Sequence, residues 1–102
     1  MAKLIALYKK PVDVAVFDKY YFSTHVPLAK KISGLRRYEL SSGVVHTPQG
    51  DSAYHLVATL SFDSLEVIQQ ALGSVEGQAT AADLSKFAQA GVDLLMFDSK
   101  DV

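Results

Sequence analysis

The sequence predicts an α+β fold in which helices cover one face of a single antiparallel sheet. Three observations carry that expectation. Apolar segments of strand character stand near both ends of the chain, at Leu4 to Tyr8 and Val92 to Asp98. The stretch Tyr54 to Phe62 alternates with the period of a strand. Between them lie segments whose apolar residues recur every three or four positions, the mark of a helix face.

Each element has its own reason. Leu4 to Tyr8 is closed by Lys9, Lys10 and Pro11, where strand pairing stops. Next, Val14, Phe17, Tyr21, His25 and Leu28 share one helix face, with Asp13 at the N-cap position. Pro27 has no N–H to give to the residue four back, so this helix should end or kink between Ser23 and Val26. Gly34 fits the C′ position of the turn that follows. Arg36 to Val45 reads as a second strand, and HTPQGDS, from His46 to Ser52, as a turn.

In Tyr54 to Phe62, the side formed by Tyr54, Leu56, Ala58, Leu60 and Phe62 opposes a mixed side of His55, Val57, Thr59 and Ser61. Asp63 precedes Glu66 by three, a capping-box spacing ahead of a helix over Leu65 to Leu72. Ser74 caps a further helical stretch, expected to break near Gly77, with Leu84, Phe87 and Ala88 on its apolar face and Gly91 as its stop.

The order β-α-β-β-α-β, with extra helix before the last strand, is that of a ferredoxin-like sandwich. It raises a difficulty. Leu4, Ala6 and Tyr8 oppose Ile5 and Leu7, while Val92, Leu94 and Met96 oppose Leu95 and Phe97. Strands apolar on both sides are buried on both sides, and the helices cover only one. Two covers are available. A second copy could bring the same face, giving a two-fold homodimer, or the stretch after Gly73 could fold across within one chain. The homodimer is the expected arrangement.

Composition narrows the function classes. The 102 residues make one domain, residues 1–102, with no internal repeat or linker. Net charge is −1 and the basic residues are dispersed, so the concentrated cationic surface of a nucleic-acid binder is missing. Without cysteine there is no disulfide, thiolate or iron–sulfur chemistry. The opening MAKLIALYKKP has too short an apolar run for a signal peptide or a membrane span. No membrane partner is expected, and the cytoplasm is the expected location.

The run from Tyr8, YKKPVDVAVFDKYYFSTHVPLAKKISGLRRYELS, resembles the EthD family of small proteins, named for a role in ethyl tert-butyl ether degradation. The likeness rests on Tyr8-Lys9-Lys10-Pro11, Phe17 with Tyr20-Tyr21, His25-x-Pro27-Leu28-Ala29 and Gly34-Leu35-x-x-Tyr38. Downstream, Phe62-Asp63-Ser64, Ser74-x-Glu76-Gly77 and Ala82-Asp83-Leu84-x-x-Phe87 follow in order, so the likeness spans nearly the whole chain. It implies a dimeric α+β barrel. Barrels of this type include cofactor-independent monooxygenases, lactone isomerases, polyketide cyclases and haem-handling enzymes, so the activity stays open among them.

His25 is the candidate catalytic residue. An imidazole on a helix face with Phe17 and Tyr21 could move a proton on or off an enolisable or phenolic substrate, a role the family likeness also favours. The competing reading has it capping its own helix end ahead of Pro27. Tyr8, Phe17, Tyr21 and Tyr38 are candidate ligand-binding residues, or plain core. His55 joins them if the mixed side of its strand lines the space between two sheets, and is otherwise a solvated strand-end residue. His46 is expected in a loop, and Arg36-Arg37 at a solvated strand edge.

No histidine stands in a metal-ligating spacing, and no Gly-rich strand-to-helix turn offers a nucleotide site, so neither metal nor cofactor is expected; a single axial histidine for haem is the one possibility left. The expected function is a cofactor-independent enzyme, oxidoreductase- or isomerase-like, acting on a small aromatic, lactone or quinone-like intermediate of a degradation pathway. The alternatives are a non-catalytic binding or accessory protein for an oxygenase, and a structural dimer without a ligand.

Overall fold

The computed structural model describes residues 1–102, and along them run β1 (Ala2–Lys9), α1 (Val14–Tyr20), a π-helical turn (Tyr21–His25), α2 (Val26–Ala29), β2 (Arg37–Leu40), β3 (His46–Thr47), β4 (Gly50–Asp51), β5 (Tyr54–Phe62), α3 (Leu65–Gly73), α4 (Val75–Phe87) and β6 (Val92–Asp98). The order β2-β5-β1-β6 makes one four-stranded sheet in which every pair is antiparallel. This is the expected ferredoxin-like α+β arrangement. No helix is long and apolar enough to cross a membrane.

Register explains why both sides of the strands are apolar. Leu4, Ala6 and Tyr8 pair with Leu60, Ala58 and Leu56 on one flank and with Met96, Leu94 and Val92 on the other, so all share the face on which the helices pack, although the helices leave Leu94 and Met96 of β6 exposed. Ile5 and Leu7, paired with Thr59 and Val57 and with Leu95 and Asp93, occupy the opposite face. That outer face has no cover within the chain: along β1, Ile5 and Leu7 stay half-exposed where Ala6 and Tyr8 on the helix side are buried. The segment after Gly73 does not cross it, because α4 packs on α3, α2 and the π turn.

The first helix is disturbed ahead of its proline, where an end or a kink is expected. The form is a widening into the π turn, where the Val26 N–H reaches back five residues to the Tyr21 carbonyl. Pro27 then falls in the opening turn of α2, where a missing N–H is tolerated. The extra residue shifts the buried stripe. Phe17, Tyr21, His25 and Ala29 face inward, whereas Val14 is exposed and Leu28 half-buried. Asp13 caps α1 as expected, its carboxylate accepting from the Val16 N–H at 3.1 Å.

Other boundaries shift for local reasons. The second strand stops at Leu40 instead of Val45, since Ser41, Ser42 and Gly43 (φ +76°) turn the chain away into the β3–β4 hairpin. Ser64, not Asp63, caps α3 by accepting from the Val67 N–H at 3.2 Å, and Asp63 pairs instead with Arg36. The helix α4 runs unbroken through Gly77. A Cβ there would collide with the Ala71 carbonyl, so glycine is what lets the α3–α4 corner close, with Ser74 capping the second helix and donating to Ala71.

One irregularity bears on a candidate residue. The β1–β5 register slips between Tyr8 and Lys9, so Lys9 faces Tyr54 and His55 is left as the extra residue of a bulge. The strict alternation expected for β5 therefore fails at its start. The Tyr54 hydroxyl donates to Asp93 at 3.0 Å, and His55 turns toward α1.

Candidate active site

The site assembles where the helix stripe meets the covered face of the sheet. Tyr8, near the end of β1, is buried against Tyr21 and Phe17, both edge-to-face with centroids 5.4 and 5.6 Å away. Phe87 of α4 closes the cluster, 5.6 Å from Tyr8 and 4.7 Å from His25. Beside these rings lies a small cavity of about 70 Å³ whose lining includes Tyr8, Tyr21, His25, Tyr38, Ala58 and Leu60. Four of the six expected site residues thus meet in one place: His25, Tyr8, Tyr21 and Tyr38.

His25 does not cap its own helix. Its Nδ1 lies 3.0 Å from a carboxylate oxygen of Asp83, on α4, and both side chains are 5% exposed. The other Asp83 oxygen accepts from the Tyr20 hydroxyl at 2.6 Å. A carboxylate on Nδ1 makes that nitrogen the N–H donor, and the lone pair then resides on Nε2, which has no protein partner. Burial pulls the His25 pKa below its ordinary value, with Asp83 opposing that shift through its hydrogen bond and charge. The ring is therefore neutral at neutral pH and able to accept a proton.

The phenols are held in the complementary state. The Tyr21 and Tyr38 hydroxyls are 2.6 Å apart, one donating to the other. Burial raises the pKa of Tyr8, Tyr21 and Tyr38, so all three stay protonated as hydrogen-bond donors. A neutral base and protonated phenols around a small apolar chamber can take a proton from a bound molecule and stabilise the oxygen that becomes negative.

Two expected site residues stand elsewhere. Phe17 is buried behind Tyr21, stacked on it at 5.8 Å, and supports the wall without lining the cavity. His55 does not line a space between sheets: the β5 bulge turns it to α1, where Nε2 sits 2.8 Å from Asp18. Its surroundings are a separate open cleft of about 630 Å³, shared with Lys10, Phe22 and Val44. His46, in β3 and not a loop, lies exposed 3.5 Å from Asp51, and Arg36 and Arg37 form surface ion pairs.

Asp83 and Tyr20 escaped the sequence reading as functional residues. The signal was present for Asp83: it lies four residues before Phe87, on the inward stripe of α4, where an unpaired carboxylate would be costly. Tyr20 is half-exposed, as the inward angle of Tyr21 requires, and only the fold shows that its hydroxyl reaches α4.

Comparison with known proteins follows the same lines. The chain is 39% identical over 104 residues to an uncharacterized 11.0 kDa protein of the thcB–thcC intergenic region of Rhodococcus erythropolis, covering 100% of this chain and 98% of that one. A solved ethyl tert-butyl ether degradation (EthD) family protein from Bacillus halodurans is 40% identical, with TM-score 0.90 and coverage of 98% and 99% of the two chains. SnoaB from Streptomyces nogalater, a cofactor-independent oxygenase solved as a point mutant, shares the fold at 15% identity and TM-score 0.68, covering 99% of this chain and 94% of that one. Residues 9–91 match the EthD domain, and with this span and these identities the chain belongs to the EthD family.

Proposed function

We propose that the chain is a cofactor-independent enzyme that moves a proton on a small aromatic, lactone or quinone-like molecule held in the phenol-lined cavity. The observation that carries this reading is the Asp83-bound His25, buried and lining that cavity. His25 Nε2 takes a proton from the bound molecule, and the electron pair left behind moves onto a carbonyl or phenolic oxygen beside Tyr21 and Tyr38. Returning the proton at another atom completes an isomerisation. Reaction of the same anion with molecular oxygen as co-substrate would make an oxygenation, and the shared fold with SnoaB supports keeping that branch.

The outer sheet face supports a homodimer as the working unit. Ile5, Leu7, Val57, Leu95 and Phe97 share it, and a second copy presenting the same face would cover both. In sedimentation, Phe97→Asp is expected to shift the protein to single chains; a wild-type protein that is already a single chain at high concentration overturns the dimer.

The catalytic reading is tested by incubating the protein with hydroxyquinone, lactone and phenolic probes in D₂O under air, following deuterium uptake and oxygen consumption. His25→Ala should lower the accelerated rate by about 10²-fold or more with the fold intact. Equal rates in both proteins would remove His25 from the chemistry. A probe that binds and returns unchanged identifies a carrier protein instead.

A further inference from the structure

We infer that the cavity selects an uncharged, enolisable carbonyl head group carried on an apolar tail, and excludes carboxylates of the same size. The inference rests on the reading of the cavity as a proton-transfer site and adds the substrate class.

Charge comes first. No side chain lining the cavity bears a full charge: its polar groups are the phenols of Tyr8, Tyr21 and Tyr38, the His25 imidazole and the Thr80 hydroxyl. The Thr80 proton is already given to the Glu76 carbonyl at 2.8 Å. The charged group behind the wall, Asp83, bonds the far side of His25 and is negative. A carboxylate entering here would lose its water, find no cation and meet a like charge behind the imidazole.

Hydrogen-bond arithmetic narrows the class further. Tyr8, Tyr21 and Tyr38 hold three hydroxyl protons; Tyr21 shares one bond with Tyr38 and another with Tyr8, so one O–H is left to donate. His25 Nε2 supplies an acceptor on the same lining. One donor and one acceptor suit a molecule with a carbonyl oxygen and an acidic C–H or O–H near it. Nε2 takes the C–H proton, its electron pair becomes the C=C bond of an enolate, and the carbonyl pair moves to the oxygen that the phenol holds. The proton then returns to that oxygen or to another carbon, and no oxidant is consumed.

Size sets the tail. A buried water needs about 10–15 Å³ of such space, so 70 Å³ admits only a head of roughly five to seven non-hydrogen atoms. The rest of a larger molecule must leave past the rim that α3, α4 and β6 form, where Leu72, Ala81 and Leu94 are exposed and apolar.

The test compares pentane-2,4-dione with 3-oxobutanoate, a carboxylate of nearly the same shape, by NMR titration of the whole protein at neutral pH. The dione should bind at least ten-fold more tightly, and Leu94→Lys, which places a cation on the rim, should shrink that ratio. Equal affinities, tighter binding of the acid, or no binding of the dione overturns the selection. Deuterium exchange at the dione's central carbon separates this from the underlying reading. Selective binding with no exchange above the buffer rate removes the base role and leaves the selectivity. His25-dependent exchange on the acid instead leaves the base role and removes the selectivity.

Discussion

His25 and His55 each hold an aspartate, at 3.0 and 2.8 Å, and both touch the aromatic cluster around Phe17 and Phe87. Contact distance does not separate them. Surroundings do: the His25–Asp83 side chains are 5% exposed and border a small apolar cavity, whereas the Asp18 side chain is 47% exposed and its pair sits in an open cleft. In the first, each polar atom has lost water and depends on its partner. In the second, water replaces either partner at little cost. The same two residue types thus make a constrained, buried pair in one place and a water-exposed contact in the other.

The largest effect should come from cutting each pair. Asp83→Ala strands the buried His25 N–H and the Tyr20 hydroxyl, and is expected to cost about 1–3 kcal/mol of stability. Asp18→Ala should cost less than about 1 kcal/mol. Denaturant melts of both variants check the contrast, and similar losses would erase it.

A smaller effect is a dependence on pH. Folding lowers the His25 pKa, so the native state favours the neutral ring. Its contribution is fully present above the unfolded value of about 6.5 and is lost as pH falls through the lower folded value. Melts between pH 7 and 4 should therefore show a steeper acid-side loss for wild type than for His25→Gln. Proton transfer through His25 should persist to more acidic pH than free imidazole allows, with the rate falling as the ring takes up its proton.

The smallest effect separates two tyrosines that each donate to an aspartate. Tyr20→Phe removes one donor from the carboxylate that orients His25 and should lower the reaction rate a few-fold. Tyr54→Phe breaks the surface bond to Asp93 and should leave that rate unchanged. Equal rates in the two variants would detach Tyr20 from the site.

Much of this comparison is readable along the chain, and the unreadable part has a common cause. The spacing of Phe17, Tyr21 and His25 places the imidazole on a ring-covered helix face, and the fold brings Tyr8 and Tyr38 to the same cavity. Asp83 lies 58 residues from His25, and nothing local ties two such positions together. His55 goes astray through a single-residue slip in the β1–β5 ladder, which reverses the side to which a strand residue points. Pro27 marks a disturbance in its helix, and the widened turn that absorbs it is settled by burying Ala29 in place of Leu28.

By itself the sequence determined the order of the four sheet strands and the main helices, the covered sheet face and the apolar character of both sides of its strands, because periodicity and capping act between near neighbours. Only the tertiary structure decided which aspartate meets which histidine, which of those pairs is dry, and where the cavity forms. Those depend on how α4 is seated against the π turn and on one slip in strand register, and both are properties of packing between distant segments.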